Sequence, residues 1–200
     1  MSYPFWKRII DIGGALVGLL IILPLTPFIA LAIKIESPGA VIVKLNRISR
    51  GKTVKVYKFR SMVKGAEKMK TNLLMFNERN DGPFFKMKND PRVTRVGRIL
   101  RRFRIDEFPQ LINILKGELA LVGPRPHEPG EVIHYPGEYK NLILARAGVT
   151  GLSQISGASS LTAAKELEFD QFYLKNLSFG LDLKIITKTL AILFFDPTAV

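Results

Sequence analysis

IGGALVGLLIILPLTPFIALAI, from Ile12 to Ile33, is a run of 22 residues without a charge. At about 1.5 Å per residue it is long enough to cross a bilayer core of roughly 30 Å. Pro24 and Pro27 fall near its middle. A proline inside a helix removes a backbone donor and clashes with the preceding turn, so the spacing predicts a break rather than one straight span. Both flanks are basic, with Lys7 and Arg8 before the run and Lys34, Lys44, Arg47, Arg50 and Lys52 after it. Positive flanks stay in the cytoplasm, which puts both ends on one side. The expected form is therefore a re-entrant hairpin, two half-helices that enter and leave one leaflet. A proline-kinked span and a buried helical hairpin of a soluble core are the alternatives. A cleaved signal peptide does not fit a run this long with no small-residue cleavage site after it.

Around that segment the chain has 200 residues, 47% of them hydrophobic, with no cysteine and 30 Lys+Arg against 17 Asp+Glu, a formal net charge of +13. So many aliphatic and aromatic residues exclude intrinsic disorder, and the absence of cysteine excludes a disulfide scaffold or a thiolate zinc site. The length suits one folded unit, with residues 1–36 as membrane anchor and 37–200 as the body packed with it. The positive excess calls for a polyanionic partner: nucleic acid, phosphorylated small molecules or anionic membrane lipid.

The body reads as α+β with helix dominant. Ser37-Pro38-Gly39 marks a turn, and Val41–Val43 with Thr53–Phe59 reads as a short β-hairpin. Gly65–Phe76 looks helical, and Asn77–Asp90 reads as a polar loop. Arg92, Arg95, Arg98, Arg101, Arg102 and Arg104 alternate with Val93, Val96, Ile99, Leu100 and Phe103 at helical spacing. That pattern suits a helix lying in the membrane interface, and equally an ordinary amphipathic helix with a solvated arginine face. Asp106–Lys116 predicts a helix capped by Asp106, with Pro109 in its first turn and Gly117 at its end. Leu161–Leu174 and Asp182–Phe195 are further helices.

Asp106-Glu107 is an acidic exception directly after the arginines. Neighbouring carboxylates cannot both face one side of a helix, so they would have separate jobs: one to attack phosphorus, the other to hold a divalent cation. Free donors at a helix start and nearby arginines would draw in a diphosphate, although capping alone also explains acidic residues there. Lys58 and Arg60 at a strand end, Arg125 between Pro124 and Pro126, and Arg146 beside Gly148 are cations suited to grip phosphate oxygens. His127 and His134 read as parts of a surface loop rather than a metal site. No P-loop, dinucleotide fingerprint or nucleophilic serine elbow is present, and nucleic-acid modules are missing as well.

These features occur in a recognisable order. Lys7-Arg8-Ile9-Ile10-Asp11, the broken apolar run, Glu36-Ser37-Pro38-Gly39, Tyr57-Lys58-Phe59-Arg60-Ser61-Met62, Asp106-Glu107-Phe108-Pro109-Gln110-Leu111, Leu115-Lys116-Gly117-Glu118, Val122-Gly123-Pro124-Arg125-Pro126 and Gly148-Val149-Thr150-Gly151-Leu152 together resemble the bacterial sugar transferases, the monotopic polyprenyl-phosphate phosphoglycosyl transferases. The resemblance covers nearly the whole chain. It implies transfer of a sugar 1-phosphate from a UDP-sugar to undecaprenyl phosphate, with release of UMP, at the cytoplasmic face of the bacterial inner membrane. It further implies Asp106 as nucleophile in a covalent phosphosugar intermediate, Glu107 as the residue associated with Mg2+, and Lys58 and Arg125 at the phosphates. Arg60 and Arg146 are further phosphate candidates, and Gln154, Asp170 and Asp182 are pocket candidates. A homodimer is an assembly it allows, and nucleic acid is not an expected partner. A catalytically idle scaffold on anionic lipid is the competing reading.

The loop Asn80–Arg92 resembles that of larger members acting on hexoses, which carry an additional N-terminal membrane region. The chain is then a minimal enzyme or an excised catalytic domain, with Met1 favouring the former. Two positions depart from the family pattern. Ala147 stands where proline is usual, which loosens a turn, and Ala158 stands where arginine is frequent, which removes a cation near the expected pocket.

Overall fold

The computed structural model describes residues 3–79, 81–87, 89–157 and 160–195. Ala158, with Asn80 and Lys88 of the hexose-type loop, lies outside the described residues. The apolar run forms two helices, α1 (Phe5–Ile22) and α2 (Thr26–Glu36). The break is where the prolines predict it, but the two prolines differ in role. Pro24 lies in the turn between the helices, whereas Pro27 sits in the first turn of α2, where its missing N–H costs nothing. The helices are bent by 64°, and among the described residues no single helix is long and apolar enough to cross a membrane.

A hairpin follows, β1 (Ile42–Ser49) and β2 (Lys52–Phe59), antiparallel with Ile42 opposite Phe59 and Ser49 opposite Lys52. Its first strand is longer than its sequence pattern suggested, because cross-strand pairing carries the ladder on through polar residues such as Asn46 and Arg47. Then come α3 (Ala66–Leu73) with a 3-10 turn Leu74–Phe76, α4 (Arg95–Arg102), a 3-10 turn Ile105–Glu107, and α5 (Gln110–Leu115). Asp106 is therefore not a helix cap: α5 begins only at Gln110, after Pro109, and the acidic pair belongs to its own tight turn.

The C-terminal half holds β3 (Ala120–Val122), α6 (Pro129–Val132), a 3-10 stretch Gly137–Leu144, β4 (Gly148–Thr150), α7 (Leu152–Ile155), α8 (Ala163–Lys175) and α9 (Phe179–Phe195). Strands β3 and β4 form a two-strand parallel sheet, too short to show in residue periodicity. Gly148 is required at that crossing, since a Cβ there would lie 2.1 Å from the Gly123 backbone nitrogen.

The α1–α2 pair is built into the body at both ends. Ala15 on α1 shares a buried cluster with Val56, Leu111, Ile114, Leu119 and Ala147, and Ile22 and Ile33 share another with Phe59 and Leu100. Lys7 donates to Asp182 and Tyr173 of α9 and α8, Arg8 donates to the carbonyls of Ile114 and Leu115 at 2.7 and 2.8 Å, and Asp11 accepts from the Leu121 N–H at 2.7 Å. At the other end the Glu36 carboxylate accepts from the N–H groups of Arg95 and Val96, at 2.6 and 2.8 Å, and so caps α4. The outward faces of both helices stay apolar and exposed, through Val17, Leu20, Ile21, Phe28, Leu31 and Ile35.

Helix α4 is amphipathic, as its pattern predicts. Leu100 and Val96 pack into the cluster beneath α1 and α2, while Ile99 and Phe103 remain exposed among Arg98 and Arg102.

Candidate active site

Three local devices bring the sequence-distant motifs together. Asn113 of α5, fully buried, accepts from the Tyr57 N–H at 3.0 Å and donates to the Lys55 carbonyl at 2.9 Å and to Glu118 Oε2 at 2.6 Å. It thereby fastens the end of β2, and Lys58 with it, to the helix that follows the acidic turn. Gly97 lets α4 lie directly on the Ser61 backbone, since a Cβ at that position would meet Ser61 O at 1.9 Å. Thr94 N–H and Arg101 Nε bind Ser61 O and Oγ, at 3.1 and 2.9 Å. Finally, Arg104 takes a left-handed backbone conformation, φ 53 and ψ 20, on entry to the Ile105–Glu107 turn. A non-glycine residue holds such a conformation at a cost of about 1–2 kcal/mol, and strain of this kind tends to gather at functional sites.

Asp106 is buried and Glu107 is half-buried, and Lys58 serves both. Its Nζ lies 2.6 Å from Glu107 Oε1 and 3.8 Å from Asp106 Oδ2. Burial pushes the Asp106 carboxyl up to about 6, opposed by the Lys58 charge, reinforced by that of Glu107 and opposed again by Arg101. Glu107 moves the other way. Burial resists its ionisation, but the Lys58 charge and hydrogen bond, with Arg125 and Arg104, outweigh it and hold Glu107 below the usual carboxylate range. The environment thus splits two adjacent carboxylates into one ready anion and one whose ionisation is held back, the kind of separation that assigns distinct roles.

Arg125 approaches from the β3 side. Its backbone N–H donates to Asp170 Oδ2 at 2.9 Å and its Nε lies 3.5 Å from Glu166 Oε1, while the side chain stays 44% exposed. Arg101 and Arg104, by spacing members of the arginine stripe, act electrostatically on the acidic pair.

The other sequence candidates lie elsewhere. The Arg60 guanidinium is buried against the chain leaving α2, donating to the carbonyls of Ser37 and, at 3.1 Å, Pro38. Arg146 stacks on the Tyr3 ring, 3.8 Å from its centroid, and lies 3.8 Å from Asp11 Oδ2. Asp182 receives Lys7 and the Tyr173 hydroxyl, and Gln154 donates to the Val149 carbonyl at 2.9 Å. Asp170 accepts from Ser153 Oγ at 2.8 Å and reaches the site only through the Arg125 backbone; burial pushes its carboxyl up to about 6. His134 is exposed as a loop residue should be, but His127 is not. It is buried between Tyr135, Glu166 and the ring of Phe84, because the loop after Pro126 folds under α8.

Sequence reasoning missed Asn113 and Glu166. The first left a signal, a lone amide in the apolar run Leu111–Leu115; the second left none, since its partners are as far away as Arg79. Among the described residues no cluster of three or more His, Asp or Glu could hold a metal by itself. Mg2+ does not require one, being commonly held by one or two carboxylates together with substrate phosphate oxygens. The half-buried, readily ionised Glu107 fits that mode.

The motif order resembles the bacterial sugar transferases, and comparison with known proteins agrees on the family. The family model described as bacterial sugar transferase matches residues 2–196. A galactosyl transferase, CpsE, of Streptococcus agalactiae is 40% identical over 99% of this chain and 44% of its own length. A UDP-N-acetylgalactosamine-undecaprenyl-phosphate N-acetylgalactosaminephosphotransferase of Aeromonas hydrophila is 36% identical over 94% of this chain and 43% of its own. The chain therefore spans less than half the length of these curated relatives. An exopolysaccharide production protein, PSS, of Rhizobium leguminosarum matches on a closer scale, 39% identical over 92% of both chains. With the model covering almost every residue and a relative of matching length at this identity, the chain belongs to the bacterial sugar transferase family.

Proposed function

We propose that this chain transfers a sugar 1-phosphate from a UDP-sugar to undecaprenyl phosphate, in two displacements through Asp106. The observation that carries the reading is the buried Asp106 carboxylate set against Glu107 and Lys58, with the charges of Arg101, Arg104 and Arg125 around them. In the first displacement an Asp106 carboxylate oxygen bonds to the β-phosphorus as the bond to the bridging oxygen breaks, and UMP leaves with that oxygen. In the second, a phosphate oxygen of undecaprenyl phosphate attacks the same phosphorus and frees the carboxylate, leaving a lipid-linked diphosphate sugar. Covalent catalysis of this kind keeps two polyanionic substrates from having to meet directly. Lys58 and Arg125 supply fixed positive charge to the phosphates, worth more in a buried site than in water. Glu107 would hold Mg2+, which when bound neutralises diphosphate charge.

The anchor reading supports the same function. Both ends of the bent pair are tied to one body, and the exposed apolar faces between them suit immersion in one leaflet of the bacterial inner membrane from the cytoplasmic side. The exposed Ile99 and Phe103, flanked by arginines, would rest at the headgroups, where anionic lipid and undecaprenyl phosphate are met. The test is UMP release by detergent-solubilised protein given undecaprenyl phosphate, Mg2+ and a panel of UDP-sugars. Wild type should release UMP with at least one sugar and Asp106→Asn should not. Equal release by the two removes Asp106 from the mechanism, and no release with any sugar favours the lipid-bound scaffold.

A further inference from the structure

We infer that Glu166 is a positioning residue that aims the Arg125 guanidinium at the phosphates of the nucleotide sugar, an inference that rests on the reaction proposed above. Glu166 lies on α8 with its side chain 3% exposed, and two guanidinium groups and an imidazole converge on it. Arg79 Nη1 is 3.2 Å from Oε2, while His127 Nε2 at 3.2 Å and Arg125 Nε at 3.5 Å share Oε1.

The backbone of Arg125 is already fixed. Pro124 and Pro126 restrict the chain on either side, the Pro124 carbonyl accepts from the Gly148 N–H at 2.8 Å, and the Arg125 N–H is held by Asp170. What remains free is the side chain, which is long, flexible and almost half exposed, and ordering such a chain costs up to about 2 kcal/mol of rotamer entropy. Glu166 limits that freedom by taking the inner edge of the guanidinium at Nε. The positive charge then favours ionisation of Glu107 on the other side, so Arg125 stands between a buried carboxylate and the candidate site.

The remaining contacts hold Glu166 itself in place. Arg79 also donates to the Leu161 carbonyl at 2.7 Å, its guanidinium lies over the Phe84 ring at 5.0 Å, and Phe84 stacks on His127 at 4.3 Å. The segment carrying Arg79 and Phe84 thus braces the carboxylate from the face opposite Arg125. Burial resists its ionisation, but the hydrogen bond from His127 and the charges of Arg125 and Arg79 outweigh it and hold Glu166 at about 2, so it is a carboxylate throughout the range in which an enzyme works.

Glu166→Gln keeps the shape and removes the charge. Its expected signature in UMP release is a KM for the UDP-sugar raised about tenfold with kcat within about threefold of wild type, because Arg125 is lost from the bound state more than from the chemical step. In an Arg125→Ala background the same substitution should add less than about twofold, as expected for two residues acting as one unit. Arg79→Gln loosens the brace but leaves the Glu166 charge facing Arg125, so its KM should rise less than that of Glu166→Gln. If Glu166→Gln does not accumulate as folded protein, Glu166→Asp keeps the charge but withdraws it by a methylene, and should show the same pattern with a smaller rise. Independent losses for Glu166 and Arg125, or a KM rise in Arg79→Gln equal to that in Glu166→Gln, overturn the inference while the proposed reaction stands. A wild-type protein that releases no UMP with any sugar overturns both.

Discussion

Lys58 Nζ sits 2.6 Å from Glu107 Oε1 on one side and 3.8 Å from Asp106 Oδ2 on the other, so one ammonium is shared by two carboxylates with opposite tendencies. It helps ionise Glu107 and offsets part of the burial that raises the Asp106 carboxyl. Replacing it with Met should cost about 100-fold or more in UMP release, the scale seen when a charged group that stabilises a transition state is lost. The acid limb of the pH–rate profile should also move upward, since withdrawing a cation raises a neighbouring carboxyl. A Lys58→Met enzyme whose acid limb stays in place would mean that Lys58 does not govern Asp106.

The Asp106 carboxyl stands at about 6 in the folded protein against 3.8 for an ordinary aspartate. The folded state therefore binds this proton more tightly than the unfolded chain does, and ionising Asp106 removes stability. That loss is complete above pH 6 and is regained as pH falls from about 6 towards 4. Wild-type activity should fall as pH drops through about 6, because attack needs the carboxylate. Asp106→Asn should melt a few degrees above wild type at pH 8, with the gain shrinking by pH 5, as followed by thermal unfolding. A variant less stable than wild type at pH 8 would show that Asp106 is well compensated and not poised.

The anchor break was legible because Pro24 acts locally, and the acidic pair stood out against a basic chain. Which helix the pair belonged to was misread, since nothing local distinguishes a cap at Asp106 from a separate 3-10 turn ahead of Pro109. Contacts across the chain left still less trace. Arg60 and Arg146 have the same local setting as Arg125, cations on turn-rich segments, yet the fold gives them to the Ser37 carbonyl and the Tyr3 ring. Only pairing at long range decides which cation stands beside the acidic pair, and residue type does not carry that information.

Lys7 and Asp182, 175 residues apart, form a buried ion pair with the Tyr173 hydroxyl as a third member. Removing one partner leaves an uncompensated charge in the interior, so Lys7→Met alone should cost about 3–5 kcal/mol of stability. Lys7→Met with Asp182→Leu should recover most of it, as Tyr173 retains the Val122 carbonyl at 3.3 Å. The double variant also decides whether Asp182 belongs to the substrate pocket. Near-normal UMP release at a temperature where it is folded makes Asp182 a tie between anchor and body, and a loss of 100-fold or more returns it to the site.

The anchor can be tested without a parent thiol, because the chain has no cysteine. Phe5 and Lys34 are exposed near opposite ends of the bent pair, and Leu25 is exposed at its break. In a re-entrant hairpin the ends share one side of the membrane and the break is buried in lipid. Single Phe5→Cys and Lys34→Cys proteins should then react with an impermeant maleimide in inside-out vesicles and stay unlabelled in intact spheroplasts. Leu25→Cys should react in neither until detergent is added. A bitopic span predicts that Phe5→Cys and Lys34→Cys label from opposite faces, and a hairpin buried within a soluble body predicts that Leu25→Cys labels without detergent. The ties at Lys7, Arg8 and Glu36 argue for the first outcome, since one body cannot hold both ends of the pair from two sides of a bilayer.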